Sequence, residues 1–201
     1  MTFSATLIII IATCVISISA FSNHQVMDRF LFWPYYIKRK NEFWRFISCG
    51  FIHADYLHLA FNMFTLYFFG RYIEMALFQK ISGFFLFYLL SLVGSNIYSY
   101  FRHRDNYNYR ALGASGAVSA IVFSFIILAP WQLIYIFFIP IPAIVYGVLY
   151  LAYSAYMSRK NYDNIGHDAH FWGGIFGILY TLILYPYLGA IFWEKLLSFH
   201  F

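Results

Sequence analysis

The stretch LGASGAVSAIVFSFIILAP, residues 112–130, decides how this chain folds. From Ser115 to Ala129 it runs for 15 small or apolar residues, and Pro130 then prevents the helix from continuing. A helix of that length rises about 22 Å, whereas the hydrocarbon core of a bilayer is about 30 Å thick. If its far end reaches the opposite surface, the turn at residues 113–116 lies below the near surface. Such backbone is tolerated only where protein encloses it or a wet cavity adjoins it.

The composition of the whole chain indicates lipid rather than water as its solvent. Of the 201 residues, 62% are hydrophobic and 10% are charged, whereas a soluble domain carries about 25% charged residues. We therefore predict an all-α polytopic membrane protein with a single domain over residues 1–201. Its six membrane spans are expected at residues 4–21, 56–77, 81–101, 115–129, 142–157 and 169–185.

The connections between these spans also carry information. Residues 22–50 interleave aromatic and basic side chains, which predicts a long interfacial first loop. Residues 131–139 are apolar but lie between prolines, and we interpret them as interfacial or as a helix extension. The first apolar run has no basic residues ahead of it, which favours a retained helix over a cleaved signal peptide. The net charge of +5 comes from short loops, which indicates contact with lipid headgroups and no nucleic-acid partner.

Polar residues inside the predicted spans are costly in lipid and mark candidate functional positions. The second, fourth and sixth helices begin on the same side of the membrane, and His58, Ser115 and His170 lie at their starts. These side chains are therefore expected at matching depth. Gly173 and Gly177 share a helix face with His170, so a neighbouring backbone can approach closely there. The remaining polar candidates inside the spans are Asn62, Glu74 and Ser119.

This set of residues suits nucleophilic catalysis. A serine hydroxyl becomes a useful nucleophile when a histidine removes its proton, and the oxyanion that follows needs preorganised donors. His58, the Asn62 amide and the Ser115 backbone N–H are candidates for that role. Asp168 is only two residues from His170 and is expected to point elsewhere, so we predict a Ser–His dyad without an acid. Two cysteines stand in no metal-binding spacing, and no metal or cofactor is predicted.

Four motifs carry a resemblance to a known family. They are Gly-Ala-Ser-Gly at 113–116, His53-x4-His58-x3-Asn62, Ala169-His170-x2-Gly173-x3-Gly177, and Trp44-Arg45. In order and spacing, over about residues 1–190, the chain resembles the rhomboid family of intramembrane serine proteases. It is most similar to the bacterial GlpG type without an N-terminal cytosolic domain.

The resemblance implies a six-helix bundle that cleaves single-pass transmembrane substrates. Ser115 would be the nucleophile and His170 the general base, His58 and Asn62 would form the oxyanion hole, and Gly113 would permit the strained turn. Residues 142–157 would form the gate through which the substrate enters, and residues 158–168 would form a cap loop. The active site would open to the periplasmic face of a bacterial inner membrane. Structural support near the site would come from His53, Arg45, Gly173, Gly177, Ser119 and Glu74.

Two features depart from the family pattern. Many relatives have a tyrosine one turn after the nucleophile that stacks on the catalytic histidine, but this chain has Ser119 there. The implied topology also places three Lys or Arg inside and ten outside, the reverse of the positive-inside rule, although residues 22–50 hold half of those ten.

Other classes of function remain open at this point. A zinc metalloprotease using His53, His58, His167 and His170 would need a glutamate base, and the chain has no HExxH motif. A non-enzymatic scaffold would be expected to lack the dyad. A transporter would show inverted repeats, and the sequence shows none. An aspartyl protease would need two aspartates within the spans, which contain none. Neither the natural substrate nor the oligomeric state is encoded in these patterns.

Overall fold

The computed structural model describes residues 4–78, 80–136, 138–160 and 166–198. Helices dominate the described chain. They are α1 (Ala5–Ser22), α2 (His24–Phe30), α3 (Pro34–Lys40), α4 (Arg45–Ser48), α5 (Tyr56–Thr65), α6 (Arg71–Leu77), α7 (Ile81–His103), α8 (Ser115–Leu128), α9 (Ala143–Lys160), α10 (His167–Leu184) and α11 (Tyr187–Leu197). A 3₁₀ turn (Cys49–Phe51) follows α4, and a π-helical segment (Leu66–Gly70) joins α5 to α6.

Helices occupy all six stretches that the sequence predicts as spans, with α5, the π-helical segment and α6 together forming the second. By length and apolar composition, α1 and α7 can each cross a membrane. The pair α10 and α11, bent by 115° relative to each other, adds a third crossing if it is counted as one span. The mostly helical prediction is confirmed, and the number of six crossings stays a prediction.

Helix α8 forms the centre of the bundle. Its residues are buried from Gly116 to Ile127, as expected for a helix that is apolar on all sides. Helices α7 and α10 lie against it. At Gly173 a Cβ atom would fall on the carbonyl oxygen of Gly116, and at Gly177 it would fall on that of Ala120. The backbones of α8 and α10 are therefore in direct contact, which only glycine permits at these two positions.

The N-terminus of α1 is held by Glu74 of α6. One carboxylate oxygen of Glu74 accepts from the Ala5 N–H at 2.6 Å, and the other accepts from the hydroxyls of Ser4 and Thr6 at 2.6 and 2.7 Å. The Thr6 N–H donates to it as well, at 3.1 Å. A carboxylate at this position satisfies otherwise unpaired N–H groups and opposes the positive end of the helix dipole. Glu74 thereby joins the first helix to the second span.

The predicted first loop at residues 22–50 is largely helical, since it contains α2, α3 and α4. Arg45 organises it from a nearly buried position. Its guanidinium donates to the carboxylate of Glu42 at 2.6 Å and to the carbonyl oxygens of Asp28 and Leu31, both at 2.8 Å. One buried cation thus ties three parts of this segment together.

Residues 131–136 and 138–139 do not extend a helix, so that part of the prediction is wrong. Strands β1 (Leu133–Ile136) and β2 (Ile139–Pro142) form an antiparallel hairpin. Prolines at 130 and 140 interrupt helical hydrogen bonding, and the β-branched and aromatic residues between them favour an extended chain. The register pairs Leu133 with Pro142, Ile134 with Ile141, Tyr135 with Pro140 and Ile136 with Ile139. Of the predicted cap loop at 158–168, residues 161–165 lie outside the described residues.

Candidate active site

A strained turn presents Ser115 at the first position of α8. Gly113 has a φ of 112°, in the left-handed region that side chains rarely adopt. A Cβ atom there would also lie 2.8 Å from Cε1 of His58. Among the described residues no side chain caps the N-terminus of α8, which leaves its first N–H groups able to bind an anion. The turn thus places the half-buried Ser115 hydroxyl beside backbone N–H groups that no described side chain caps.

His53 supports this turn from behind. It is fully buried, and its Nε2 accepts a hydrogen bond from the Ala114 N–H at 3.3 Å. Burial lowers the pKa of His53 to about 3, and the neighbouring His58 lowers it further, so the ring is neutral at pH 7. The proton is therefore on Nδ1, which donates to Ser17 Oγ at 3.0 Å, and Ser17 in turn donates to the Phe51 carbonyl at 2.9 Å. This chain of hydrogen bonds anchors the residue directly before Ser115.

Ser115 and His170 meet across the contact between α8 and α10. The Nε2 atom of His170 lies 2.8 Å from Ser115 Oγ, which is a good hydrogen-bond distance. The close backbone approach at Gly173 and Gly177 brings the first turns of the two helices together, so this distance follows from the helix packing. Both side chains are half-buried. The geometry permits His170 to take the Ser115 proton.

Asp168 points away from this pair, as the sequence predicts. Its carboxylate accepts from Arg102 Nη1 at 3.1 Å and from the Ser158 hydroxyl, and the imidazole of His103 lies 4.0 Å away. These contacts tie the ends of α7 and α9 to the start of α10. Asp168 therefore serves helix packing rather than the orientation of His170.

A cavity of about 160 Å³ adjoins Ser115 and His170. The side chains around it come from α5, α8, α9 and α10 and are mainly apolar or aromatic. They are Phe61, Asn62, Thr65, Ser115, Val118, Ser119, Val122, Phe123, Tyr146, Tyr150 and His170. The cavity is large enough for an amino-acid side chain beside the nucleophile.

The two predicted oxyanion residues are placed differently. Asn62 lines the cavity, and its Nδ2 donates to the backbone carbonyl of His58 at 2.9 Å. His58 itself lies against Gly113 and the ring of His53, and its Nδ1 accepts weakly from the Ala54 N–H at 3.4 Å. Asn62 therefore lies beside the cavity, whereas His58 contacts the turn next to Ser115, and an oxyanion role for either side chain stays a prediction.

Tyr150 of α9 is one of the cavity residues that the sequence did not single out. Its ring is stacked beside that of His170, with centroids 6.0 Å apart and planes 30° apart. Its hydroxyl lies 2.7 Å from the hydroxyl of Ser119. The sequence signal was too weak to find it, because α9 carries tyrosines at 146, 150, 153 and 156 and no pattern tells which one faces His170.

The four histidines of the zinc alternative fall into two pairs. The rings of His53 and His58 lie 4.9 Å apart, and those of His167 and His170 lie 5.8 Å apart. Within the described ranges, no group of three or more His, Cys, Asp or Glu is placed to hold a metal ion.

The arrangement defines a class of protein. It is helical, with helices long and apolar enough to cross a membrane, and a serine and a histidine meet beside an internal cavity. Comparison with protein families gives the particular group. The Rhomboid domain matches residues 40–187, and the chain therefore belongs to the rhomboid family. Members of this family are generally intramembrane serine proteases, and some are inactive.

Individual relatives are eukaryotic. The chain is 32% identical to RHOMBOID-like protein 12, mitochondrial, of Arabidopsis thaliana over 145 residues, which cover 63% of this chain and 42% of that protein. It is 30% identical to Rhomboid protein 1, mitochondrial, of Saccharomyces cerevisiae, over 67% of this chain and 40% of the relative. The chain is 26% identical to Rhomboid-related protein 1 of Caenorhabditis elegans, over 81% of this chain and 45% of that protein. The chain thus spans about two fifths of the length of these relatives.

Proposed function

We propose that this protein is an intramembrane serine endopeptidase that cleaves transmembrane segments of single-pass membrane proteins through Ser115 and His170. The observation that carries the proposal is the 2.8 Å contact between Ser115 Oγ and His170 Nε2 beside the cavity. Membership of the rhomboid family supports the same reaction class. We also propose that the chain forms a six-span bundle surrounded by lipid, with residues 158–168 as a cap loop.

The reaction begins when His170 Nε2 removes the Ser115 proton and Oγ attacks the carbonyl carbon of the scissile peptide bond. The Ser115 N–H and the Asn62 amide stabilise the resulting oxyanion. When the C–N bond breaks, His170 returns the proton to the leaving amine and an acyl-enzyme remains on Ser115. Water, deprotonated by His170, then hydrolyses that ester and regenerates the serine.

The dyad is tested on the full chain purified in detergent and incubated with a generic transmembrane substrate. We compare wild type with Ser115→Ala, His170→Ala and the matched control Ser91→Ala. Ser91 is a buried serine of α7 whose hydroxyl donates to the Phe87 carbonyl one turn earlier on the same helix, away from the cavity lining. Labelling by a fluorophosphonate and a chelator control accompany the cleavage assay.

We expect the rate in both dyad variants to fall by about a thousandfold or more, and Ser91→Ala to cleave like wild type. A chelator should have no effect. Cleavage that survives Ser115→Ala would overturn the dyad, and cleavage lost to the chelator would favour the metal alternative. A folded wild type that neither cleaves nor reacts with the probe would place the chain among the inactive members of the family.

The bacterial GlpG type, the inner membrane and the periplasmic active site stay predictions, because the relatives compared are eukaryotic and two have mitochondrial names. The implied topology puts residues 22–50 and the end of α11 on opposite sides. Lys40→Cys and Glu194→Cys, both at exposed positions, test it with a membrane-impermeant maleimide in intact cells. Labelling of the first alone fits the topology, and labelling of the second alone reverses it.

A further inference from the structure

Asp168, two residues before His170, does not orient its imidazole, because the Asp168 carboxylate is bound to Arg102 and Ser158. A general base still needs a fixed orientation to hold its nitrogen near the serine. The ring of Tyr150 on α9 is stacked beside the His170 imidazole, with 6.0 Å between the ring centroids. This separation lies within the range of favourable aromatic contacts.

Tyr150 is itself fixed by a hydrogen bond to Ser119, with 2.7 Å between the two hydroxyl oxygens. Ser119 is nearly buried on α8, one turn after Ser115. Gly147 lies one turn before Tyr150, and a Cβ atom there would lie 2.8 Å from Cδ1 of Ile126 on α8. The close approach at Gly147 therefore brings α9 near enough to α8 for the two hydroxyls to meet.

We propose that Tyr150 is a positioning residue for His170, fixed by Ser119, so that α9 supplies the aromatic support of the general base. This inference rests on the proposed protease function. The ring limits the rotation of the imidazole, and the hydroxyl contact limits the tilt of the ring. Since Ser119 is on α8 and Tyr150 is on α9, the support exists only while those two helices are in contact.

The test uses the full-length protein and two readouts, which are kcat and KM for a transmembrane substrate and the rate of fluorophosphonate labelling. Tyr150→Leu removes the ring. Tyr156→Leu is the matched control, because Tyr156 is an exposed tyrosine on the same helix. The double variant Ser119→Tyr with Tyr150→Leu returns an aromatic ring from α8 into the space that the first ring has left.

Tyr150→Leu is expected to lower kcat and the labelling rate by about 10- to 100-fold, with KM within about twofold of wild type. Tyr156→Leu should leave both readouts unchanged. The double variant should recover at least about tenfold in kcat over Tyr150→Leu. An unchanged kcat in Tyr150→Leu, or an effect on KM alone, would overturn the positioning role.

Should Tyr150→Leu fail to fold, the hydroxyl pair provides a second test. Tyr150→Phe and Ser119→Ala each break the same contact, so both should lower kcat by about two- to fivefold and their combination should do no more than either alone. Additive effects, or none, would refute the link between the two hydroxyls. Ser115→Ala in the same assay separates the two proposals: if it is inactive while Tyr150 variants match wild type, only the positioning role fails.

Discussion

Gly173→Ala tests whether helix packing sets the distance within the dyad. The new Cβ would fall on the carbonyl oxygen of Gly116, and non-bonded heavy atoms settle at about 3.5 Å. Helix α10 must therefore move away from α8 by roughly 1 Å. The Ser115–His170 distance of 2.8 Å would then exceed that of a hydrogen bond. A displacement of about 1 Å in an active site costs about 100-fold in rate, equivalent to about 2.7 kcal/mol of activation free energy.

The assay measures kcat on a transmembrane substrate together with fluorophosphonate labelling, and thermal unfolding in detergent shows whether the variant folds. Gly189→Ala is the control, because its Cβ would lie 3.7 Å from Cδ2 of Leu182, an ordinary contact. We expect the control to retain wild-type rates. A folded Gly173→Ala protein with a wild-type kcat would show that the glycine contact does not set the dyad distance.

Two further predictions concern stability. The pKa of His53 is lowered from 6.5 to about 3 in the folded protein, so on acidification the unfolded chain takes up this proton while the folded protein does not. The free energy of unfolding should therefore fall as the pH drops from 6.5 towards 3, and it should fall less steeply in His53→Gln. Measuring Tm in detergent at each pH tests this, and parallel Tm curves for the two proteins would contradict it. Glu74→Gln turns an accepting oxygen into a donor facing the N–H groups of Ala5 and Thr6. We expect this substitution to lower the free energy of unfolding by about 1–3 kcal/mol and to lower the Tm, while the rate of fluorophosphonate labelling at Ser115 stays unchanged. An unchanged Tm would show that the Glu74 carboxylate does not hold the N-terminus of α1.

Much of the site followed from elementary geometry. Because the fourth and sixth spans begin on the same side of the membrane, Ser115 and His170 were predicted at the same end of the bundle. Glycines four residues apart predicted the close helix contact that joins them. Asp168 could be set aside because two residues on a helix differ by about 200° in direction. The last two of these inferences each depend on one helix and its own periodicity, and the first depends only on the order of the spans, which the sequence displays directly.

What could not be predicted depends on how separate elements meet. The identity of Tyr150 as the neighbour of His170 depends on the rotation of α9 about its axis, and its four tyrosines gave no preference. The helices within residues 22–50 are short, and contacts such as those of Arg45 stabilise them more than local propensity does. The split between Asn62 at the cavity and His58 behind the turn likewise follows from packing around Gly113.

The register of the β1–β2 hairpin determines which backbone groups β2 presents on the side that faces away from β1. The Ala143 N–H donates to the Gln132 carbonyl at 2.9 Å, so by the alternation of an antiparallel ladder Pro142 and Pro140 occupy positions whose backbone nitrogens point away from β1. Proline has no N–H to offer. The outer side of β2 therefore presents no donor at these two positions, and an extended segment of another chain cannot complete a regular ladder against it. The prolines protect this apolar strand from edge-to-edge aggregation.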